Sequence, residues 1–275
     1  MNNMSYFFVL MMITVTGYGQ SAKSYANSGL AKHKLIDYTG AIADFTKAIE
    51  IDSMYADAYA YRGYSKNMMC DSLGAIQDFT MAISIQPDYA DAYFYRALIV
   101  LGFKDYQKVV NDLTKALEIS PGCMECYMYR GTAKYYLQDY TDAINDFTKR
   151  IEDEHFNFYA YAWRADAKAA IMDQQGALSD YNKAIELYPK FDVAFIGRGD
   201  LKLDLKNYSG AIADYRQALE IDPANESFLV AIGRFYSTLK DYPNAIKFYK
   251  KALVLRPEFI PAINNIGYCY LEQGK

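Results

Sequence analysis

The sequence is poor in the residues on which most catalytic and metal chemistry depends. Its 275 residues include two histidines, four cysteines and one tryptophan. The histidines, His33 and His155, fall in separate parts of the chain, so neither a shared metal site nor a catalytic triad is expected. We therefore predict no catalytic residue, no metal site and no cofactor, and we do not expect an enzyme.

An excess of positive charge is also lacking. Lysine and arginine number 29 against 33 aspartates and glutamates, which gives a net charge of −4. Proteins that bind nucleic acids carry a basic stripe or patch. The charge balance therefore argues against a nucleic-acid partner.

The first nineteen residues carry no charged side chain and include the apolar run YFFVLMMITVT. That run has about the length of a signal-peptide core and is too short to span a bilayer. Gly17 and Gly19 supply small residues at −3 and −1 before Gln20, although no lysine or arginine precedes the run. We predict that residues 1–19 are a cleaved secretory signal and that the protein is bacterial and periplasmic or on the cell surface. No later apolar run is long enough to cross a membrane.

The sequence is rich in tyrosine, with 28 residues, and it repeats every 34 residues. The repeat is marked by a small residue, which is alanine in six cases and valine in one: Ala41, Ala75, Val109, Ala143, Ala177, Ala211 and Ala245. An aromatic residue or leucine follows four positions later, glycine or alanine precedes by twelve, and proline follows by twelve in five repeats. With Ala22 as position 1, these marks fall at positions 20, 24, 8 and 32. Apolar residues at i, i+3, i+4 and i+7 predict two amphipathic helices per repeat, at positions 1–14 and 18–31.

The Gly-Ala-Ile-x-Asp-Phe and proline signals resemble those of the tetratricopeptide repeat family. The resemblance covers seven full repeats, 22–55, 56–89, 90–123, 124–157, 158–191, 192–225 and 226–259, and one further helix in residues 260–275. It implies an all-α fold, a right-handed α-solenoid of helix-turn-helix repeats with a concave groove. It also implies a scaffold or adaptor that binds proteins.

Arginine at position 7 departs from the family pattern, and it varies together with the aspartate at position 23. Arginine occupies position 7 and aspartate position 23 in repeats 2 to 6, whereas repeat 7 has Ile232 and Phe248 there. An unpaired buried charge is costly, so this joint loss predicts that the two positions form ion pairs. Lysines at position 11 are expected to join them, and Asp44 of repeat 1 is expected to reach Arg62.

Tyrosines of the first helices divide between two faces at 100° per residue. Position 4 is expected to pack in the core, whereas positions 2, 5, 6, 9, 12 and 13 are expected to face the groove. The candidate partner-binding residues are those with large apolar or aromatic side chains on that second face: Tyr61, Tyr64, Phe94, Tyr95, Met128, Tyr129, Tyr135, Tyr136, Tyr159 and Trp163. An exposed aromatic face is typical of a binding surface. The alternative is that the rings stack on one another and merely line the groove.

Acidic residues on the same face favour a neutral or basic extended segment of a protein or peptide as the partner. Alternatives are a glycan, because tyrosine and tryptophan also stack on sugar rings, and self-association through residues 260–275. In that last segment Ile263, Ile266 and Tyr270 keep the pattern of a helix that awaits a partner, which suggests a truncated chain or a helix that pairs with another copy.

The pair Cys123 and Cys126 lies at the turn between repeats 3 and 4. Two free thiols and a small structural disulfide both remain open. Redox catalysis is disfavoured, because a thioredoxin-type motif opens a helix after a strand and no strand is predicted here.

Overall fold

The computed structural model describes residues 21–274, so the predicted signal peptide lies outside the described residues. The chain divides into two compact units, residues 1–126 and residues 127–275. Unit 1 contains six helices in its described part: α1 (Ala22–Lys34), α2 (Tyr38–Ile51), α3 (Ala56–Met68), α4 (Ser72–Ile85), α5 (Ala90–Gly102) and α6 (Tyr106–Ile119). Helix α7 (Met124–Tyr136) begins in unit 1 and ends in unit 2.

Unit 2 continues the alternation of first and second helices. Its further described helices are α8 (Tyr140–Asp153), α9 (Phe158–Ala170), α10 (Gln174–Leu187), α11 (Asp192–Asp204), α12 (Tyr208–Ile221), α13 (Glu226–Thr238), α14 (Tyr242–Leu255) and α15 (Ile260–Glu272). Residues 21–274 contain no strand. The predicted all-α class is confirmed, and the helices occupy positions 1–13 and 17–30, within one residue of the expected bounds.

In repeats 1 to 7 the turn after the first helix places a non-glycine residue in the left-handed region. In repeat 1 the amide of Asp37 donates to the carbonyl of Lys32 and the amide of Ile36 donates to the carbonyl of His33, both at 3.0 Å. These are the two bonds of a Schellman motif. The left-handed residue is at position 15 in all seven repeats: Ile36, Cys70, Lys104, Gln138, Met172, Lys206 and Lys240, with φ between 60° and 66°.

The second helix begins at position 17, directly after an aspartate or asparagine at position 16. Asp37 accepts a hydrogen bond from the amide of Gly40 at 2.9 Å, and Asp71 accepts the equivalent bond from Gly74. Such caps satisfy amides that have no partner within the helix. The sequence thus fixes both ends of the turn.

The core of each unit is built from second-helix positions 20 and 24 and small first-helix residues. Phe45, Phe79 and Phe147 at position 24 are at most 1% exposed, and the alanines at position 20 are fully buried. A Cβ atom on Gly131 would lie 2.8 Å from the ring of Phe147, so position 8 must be small to admit the ring. By contrast Tyr127, at position 4, is only half-buried, and Arg130 lies over its ring at 5.5 Å.

The predicted ion pairs are present in repeats 2 to 6. In repeat 2, Nε of Arg62 donates to Oδ2 of Asp78 at 2.9 Å and Nη2 donates to Oδ1 at 2.6 Å. Lys66 lies 2.8 Å from the same carboxylate, and Nη1 of Arg62 donates to Thr46 of the preceding repeat at 3.2 Å. The equivalent arginine–aspartate pairs are Arg96–Asp112, Arg130–Asp146, Arg164–Asp180 and Arg198–Asp214.

The expected contact between Asp44 and Arg62 is wrong. Asp44 instead lies 2.6 Å from Lys32 and accepts a hydrogen bond from Ser28 at 2.6 Å. Burial alone would raise the pKa of Asp44, but the hydrogen bonds from Lys32 and Ser28 outweigh burial and lower it. Repeat 1 therefore satisfies its own aspartate, because position 11 is within reach of position 23 without an arginine at position 7.

Cys123 and Cys126 form a disulfide, with Cα atoms 5.3 Å apart. Cys126 is fully buried at the start of α7. Of the two alternatives that the sequence left open, the structure has the disulfide.

Candidate functional site

In unit 1, three of the predicted residues line one aromatic pocket. Tyr61, Tyr64 and Tyr95 surround a volume of about 240 Å³ together with His33, Phe79, Tyr89 and Asp91. In α3 and α5, the ring at position 6 stacks on the ring at position 24 of the preceding second helix. The ring centroids of Phe45 and Tyr61 are 5.9 Å apart, and those of Phe79 and Tyr95 are 6.1 Å apart, with interplanar angles of 16° and 20°.

Burial keeps the phenols of Tyr89 and Tyr95 neutral. The pKa of Tyr95 is raised mainly by burial and also by the neighbouring Tyr64. The pKa of Tyr89 is raised mainly by burial and also by the carboxylate of Asp57. Burial also lowers the pKa of His33, whose Nδ1 lies 2.9 Å from the hydroxyl of Ser65. Neutral donors and ring faces of this kind suit apolar and hydrogen-bonding groups of a ligand.

Phe94 turns to a second pocket of unit 1. With Tyr95 it lines a volume of about 310 Å³, which is also lined by Glu125 and by the disulfide residues Cys123 and Cys126. The rings of Phe94 and Tyr95 meet edge to face with centroids 5.3 Å apart. Tyr95 therefore lines both of these pockets.

In unit 2, Tyr135, Tyr136 and Trp163 form one cluster. The centroids of Tyr135 and Tyr136 lie 5.4 Å and 6.0 Å from that of Trp163, and Trp163 stacks on Phe147 at 6.3 Å. Met128 packs against the same buried group. Tyr136 remains 50% exposed, so the cluster presents a ring to solvent.

One predicted residue is placed differently. Tyr159 lies with Phe158 and Phe191, at centroid distances of 4.3 Å and 5.0 Å, rather than with the Trp163 cluster. Phe191 lies in the turn that precedes α11, so the ring of Tyr159 packs at the junction between repeats 5 and 6. Tyr129 is half-buried at position 6.

The sequence analysis missed a hydrogen bond between position 24 and position 9 in repeats 5 and 6. The hydroxyl of Tyr181 donates to Oδ1 of Asp166, and the hydroxyl of Tyr215 donates to Oδ1 of Asp200 at 2.6 Å. In both repeats tyrosine replaces phenylalanine at position 24 and aspartate stands at position 9. This joint occurrence of tyrosine and aspartate was the sequence signal that could have predicted the hydrogen bond. Burial and the adjacent carboxylate raise the pKa of each phenol.

The described residues carry neither a metal cluster nor a membrane helix. Between residues 21 and 274 no three His, Cys, Asp or Glu side chains are grouped so that they could hold a metal ion. No helix in the same range combines the length and the apolar character needed to cross a bilayer.

Comparison with known proteins finds a similar repeat family in two parts of the chain. Models described as TPR repeat and tetratricopeptide repeat match residues 199–239 and residues 22–53 and 227–259, respectively. No curated protein matches the chain.

Solved structures share the fold over most of its length. A tetratricopeptide repeat protein from Parabacteroides merdae is 18% identical, with a TM-score of 0.71 over 91% of this chain and 99% of that chain. The C-terminal part of a TPR repeat-containing protein from Cytophaga hutchinsonii is 18% identical, with a TM-score of 0.64 over 87% and 98%. A TPR protein from Thermus thermophilus is 16% identical, with a TM-score of 0.60 over 66% and 99%. The matched models cover residues 22–53 and 199–259, which are similar to tetratricopeptide repeats, and the chain shares the all-α solenoid fold of these solved structures.

Proposed function

We propose that this protein is an exported scaffold or adaptor that binds an extended protein or peptide segment on its first-helix face, meaning positions 2, 5, 6, 9, 12 and 13 of the first helices. One observation carries the proposal. Aromatic rings recur at the same positions of successive first helices and stay partly exposed, as in Tyr61 at 39% and Tyr136 at 50%. Exposed tyrosine and tryptophan supply large contact areas at low entropic cost.

The charges on this face favour a neutral or basic segment. Position 2 carries Asp57, Asp91 and Glu125 in three successive repeats. A C-terminal carboxylate would meet these side chains at close range and be repelled. The pockets at Tyr61 and Phe94 would then take apolar side chains of the segment.

Export is supported by the N-terminal apolar run and by the Cys123–Cys126 disulfide. Disulfides persist mainly in oxidising compartments outside the cytosol. The test is the mass of the protein recovered from the periplasm or cell surface of a bacterial host. A mature chain that begins at Gln20 supports export, whereas an intact chain retained in the cytosol contradicts it.

The sole tryptophan of the chain, Trp163, offers a direct test of peptide binding. A random dodecapeptide library is selected on the purified protein, and recovered peptides are titrated while Trp163 emission is recorded. We expect a saturable change that Tyr136→Ser weakens about tenfold, a loss of roughly 1.4 kcal/mol.

The matched control is Phe156→Ser, which removes an aromatic ring that is 76% exposed but lies in a loop off the first-helix face. Equal affinity for the Tyr136 and Phe156 variants would contradict binding on this face. Titration with soluble polysaccharides instead of peptides tests the alternative glycan-binding function. A response to polysaccharide alone would replace the peptide proposal.

Self-association is the second candidate, and exposed apolar residues of α15 favour it. Ile260, Ile263 and Leu271 are 63%, 45% and 76% exposed. Sedimentation equilibrium tests it. A mass that rises with concentration and returns to that of a monomer in an Ile263→Ser, Ile266→Ser variant supports association through this helix, whereas a monomer at all concentrations contradicts it.

A further inference from the structure

Unit 2 contains a cavity of about 510 Å³ on the first-helix face, beside the Trp163 cluster. Its walls include Tyr135, Tyr181 and Leu201, and three carboxylates reach it from positions 9 and 13: Asp166, Asp200 and Asp204. Tyr135 belongs both to this cavity and to the aromatic cluster. A segment that contacts the cluster would therefore pass the opening of the cavity.

The cavity exists because a ring is missing. Position 6 is aromatic in repeats 2 to 5, but repeat 6 has Gly197. A Cβ atom there would lie 2.6 Å from the ring and hydroxyl of Tyr181. Gly197 thus lets the Tyr181 ring approach the helix backbone and donate to Asp166.

The carboxylates of the cavity are only partly compensated. Asp200 pairs with Arg234 at 2.7 Å and accepts from Tyr215. Among residues 21–274 no ion pair reaches Asp166 or Asp204. The cavity therefore carries more negative than positive charge.

Asp166 is the most enclosed of the three. Its Oδ1 accepts the Tyr181 hydroxyl, while no described donor reaches Oδ2. Every fully buried side-chain oxygen of the described residues has a hydrogen-bond partner, so Oδ2 is open to the cavity that Asp166 lines. Burial, together with the charge of Asp200, raises the pKa of Asp166 to about 6 despite the Tyr181 hydrogen bond. A cation placed at Oδ2 would relieve that penalty.

We infer that this cavity binds a lysine or arginine side chain of the partner segment. The inference rests on the proposed function and adds the residue class that the segment must present. Asp166 and Asp204 would meet the charged group, and the rings of Tyr135 and Tyr181 would cover the aliphatic stem. A cationic head and an apolar stem match the two kinds of wall in the cavity.

The dodecapeptide selection tests this directly when it is run in parallel on the wild type and on the Asp166→Asn, Asp204→Asn variant. We expect wild-type peptides to carry a lysine or arginine at a fixed distance from apolar residues. We expect the variant to recover apolar peptides in which that basic enrichment falls about tenfold. Asp88→Asn removes one exposed charge far from the cavity in sequence and should leave the enrichment intact.

The outcomes separate the two proposals. Peptides recovered by the wild type without basic enrichment, or with enrichment that the variant retains, overturn the inference and leave the proposed function standing. If no peptide is recovered, the proposed function fails, and a second measurement decides the inference. Carbon-13 NMR of the Asp166 carboxyl is recorded with Nα-acetyl-lysine methylamide and with its norleucine analogue. A pKa of Asp166 lowered by the lysine compound alone supports the cationic site, and a pKa unchanged by both overturns it.

Discussion

Arg164 binds Asp180 with two parallel hydrogen bonds, from Nε to Oδ2 and from Nη2 to Oδ1, both at 2.8 Å. Lys168 adds a contact of 2.8 Å to the same carboxylate. Repeat 7 places Ile232, Tyr236 and Phe248 at the three equivalent positions, and the rings of Tyr236 and Phe248 stack at 5.5 Å. The same three positions therefore hold an ion-pair set in repeat 5 and an apolar set in repeat 7.

Removing one partner of the ion-pair set should lower the free energy of unfolding more than replacing all three side chains by the apolar set of repeat 7. Asp180→Ala leaves Arg164 and Lys168 half-buried without their carboxylate, and we expect the free energy of unfolding to fall by about 3 kcal/mol. The triple change Arg164→Ile, Lys168→Tyr and Asp180→Phe copies repeat 7 and should cost less than about 1.5 kcal/mol. Urea denaturation measures both. A triple variant as unstable as Asp180→Ala would show that the apolar set does not transfer between repeats.

This ion-pair set was predictable because the repeats of the chain can be compared with one another, and positions that change together between repeats indicate contact. Arginine at position 7 and aspartate at position 23 disappear together in repeat 7, which indicates contact without any coordinates. The helices were predictable for a similar reason, since seven copies of one pattern average out local ambiguity. The Asp44 prediction failed because it assumed an arginine partner, whereas Lys32 of the same repeat was closer.

The cavity in unit 2 was not predictable from the same pattern. It depends on one hydroxyl, that of Tyr181, and on one absent side chain, that of Gly197. The change from phenylalanine to tyrosine at position 24 is conservative by residue class, and the helical period treats glycine at position 6 as an ordinary gap. Only the distances between neighbouring helices show that the gap becomes a lined space.

The left-handed turn residues offer a gain in stability. Ile36 has φ of 66° and is 72% exposed, so its side chain contributes little packing while its backbone is strained. Ile36→Gly should raise the free energy of unfolding by about 0.5–1 kcal/mol, because glycine adopts this region without steric cost. Leu35→Gly is the control, since Leu35 is 79% exposed with φ of −89°. Thermal melts should move up for the first variant and down for the second, and a downward shift for both would refute the strain argument.

The disulfide closes a loop of only a few residues, so its contribution should be modest. The chain-entropy estimate for such a loop is about 2 kcal/mol. We expect dithiothreitol to lower the midpoint of urea denaturation for the wild type and to leave a Cys123→Ser, Cys126→Ser variant unaffected. If the wild type shows the same midpoint with and without reductant, the bond does not stabilise the fold.

The buried carboxylate of Asp166 should make stability depend on pH in the direction opposite to that of a salt-bridged aspartate. Its pKa in the folded protein is raised to about 6 from an ordinary value of 3.8, because burial outweighs the Tyr181 hydrogen bond and Asp200 adds repulsion. The folded state therefore holds a proton between about pH 4 and pH 6 that the unfolded chain has released. This contribution to stability is complete below pH 4 and is lost as pH rises through 6.

Asp166→Asn isolates that contribution, because asparagine keeps an oxygen that can accept from Tyr181 and removes the charge. The groups that face this position, Tyr135, Tyr181, Asp200 and Asp204, are unchanged in the variant. At pH 7.5 we expect Asp166→Asn to be more stable than the wild type by about 1–3 kcal/mol, and at pH 4 the difference should vanish. Urea denaturation at both pH values measures it, and a variant less stable than the wild type at pH 7.5 would contradict the argument. If Asp166 destabilises the unliganded fold at neutral pH and its replacement also lowers the enrichment of basic peptides, the presence of a carboxylate at this position is explained by ligand binding. A contribution to the stability of the fold would not explain it.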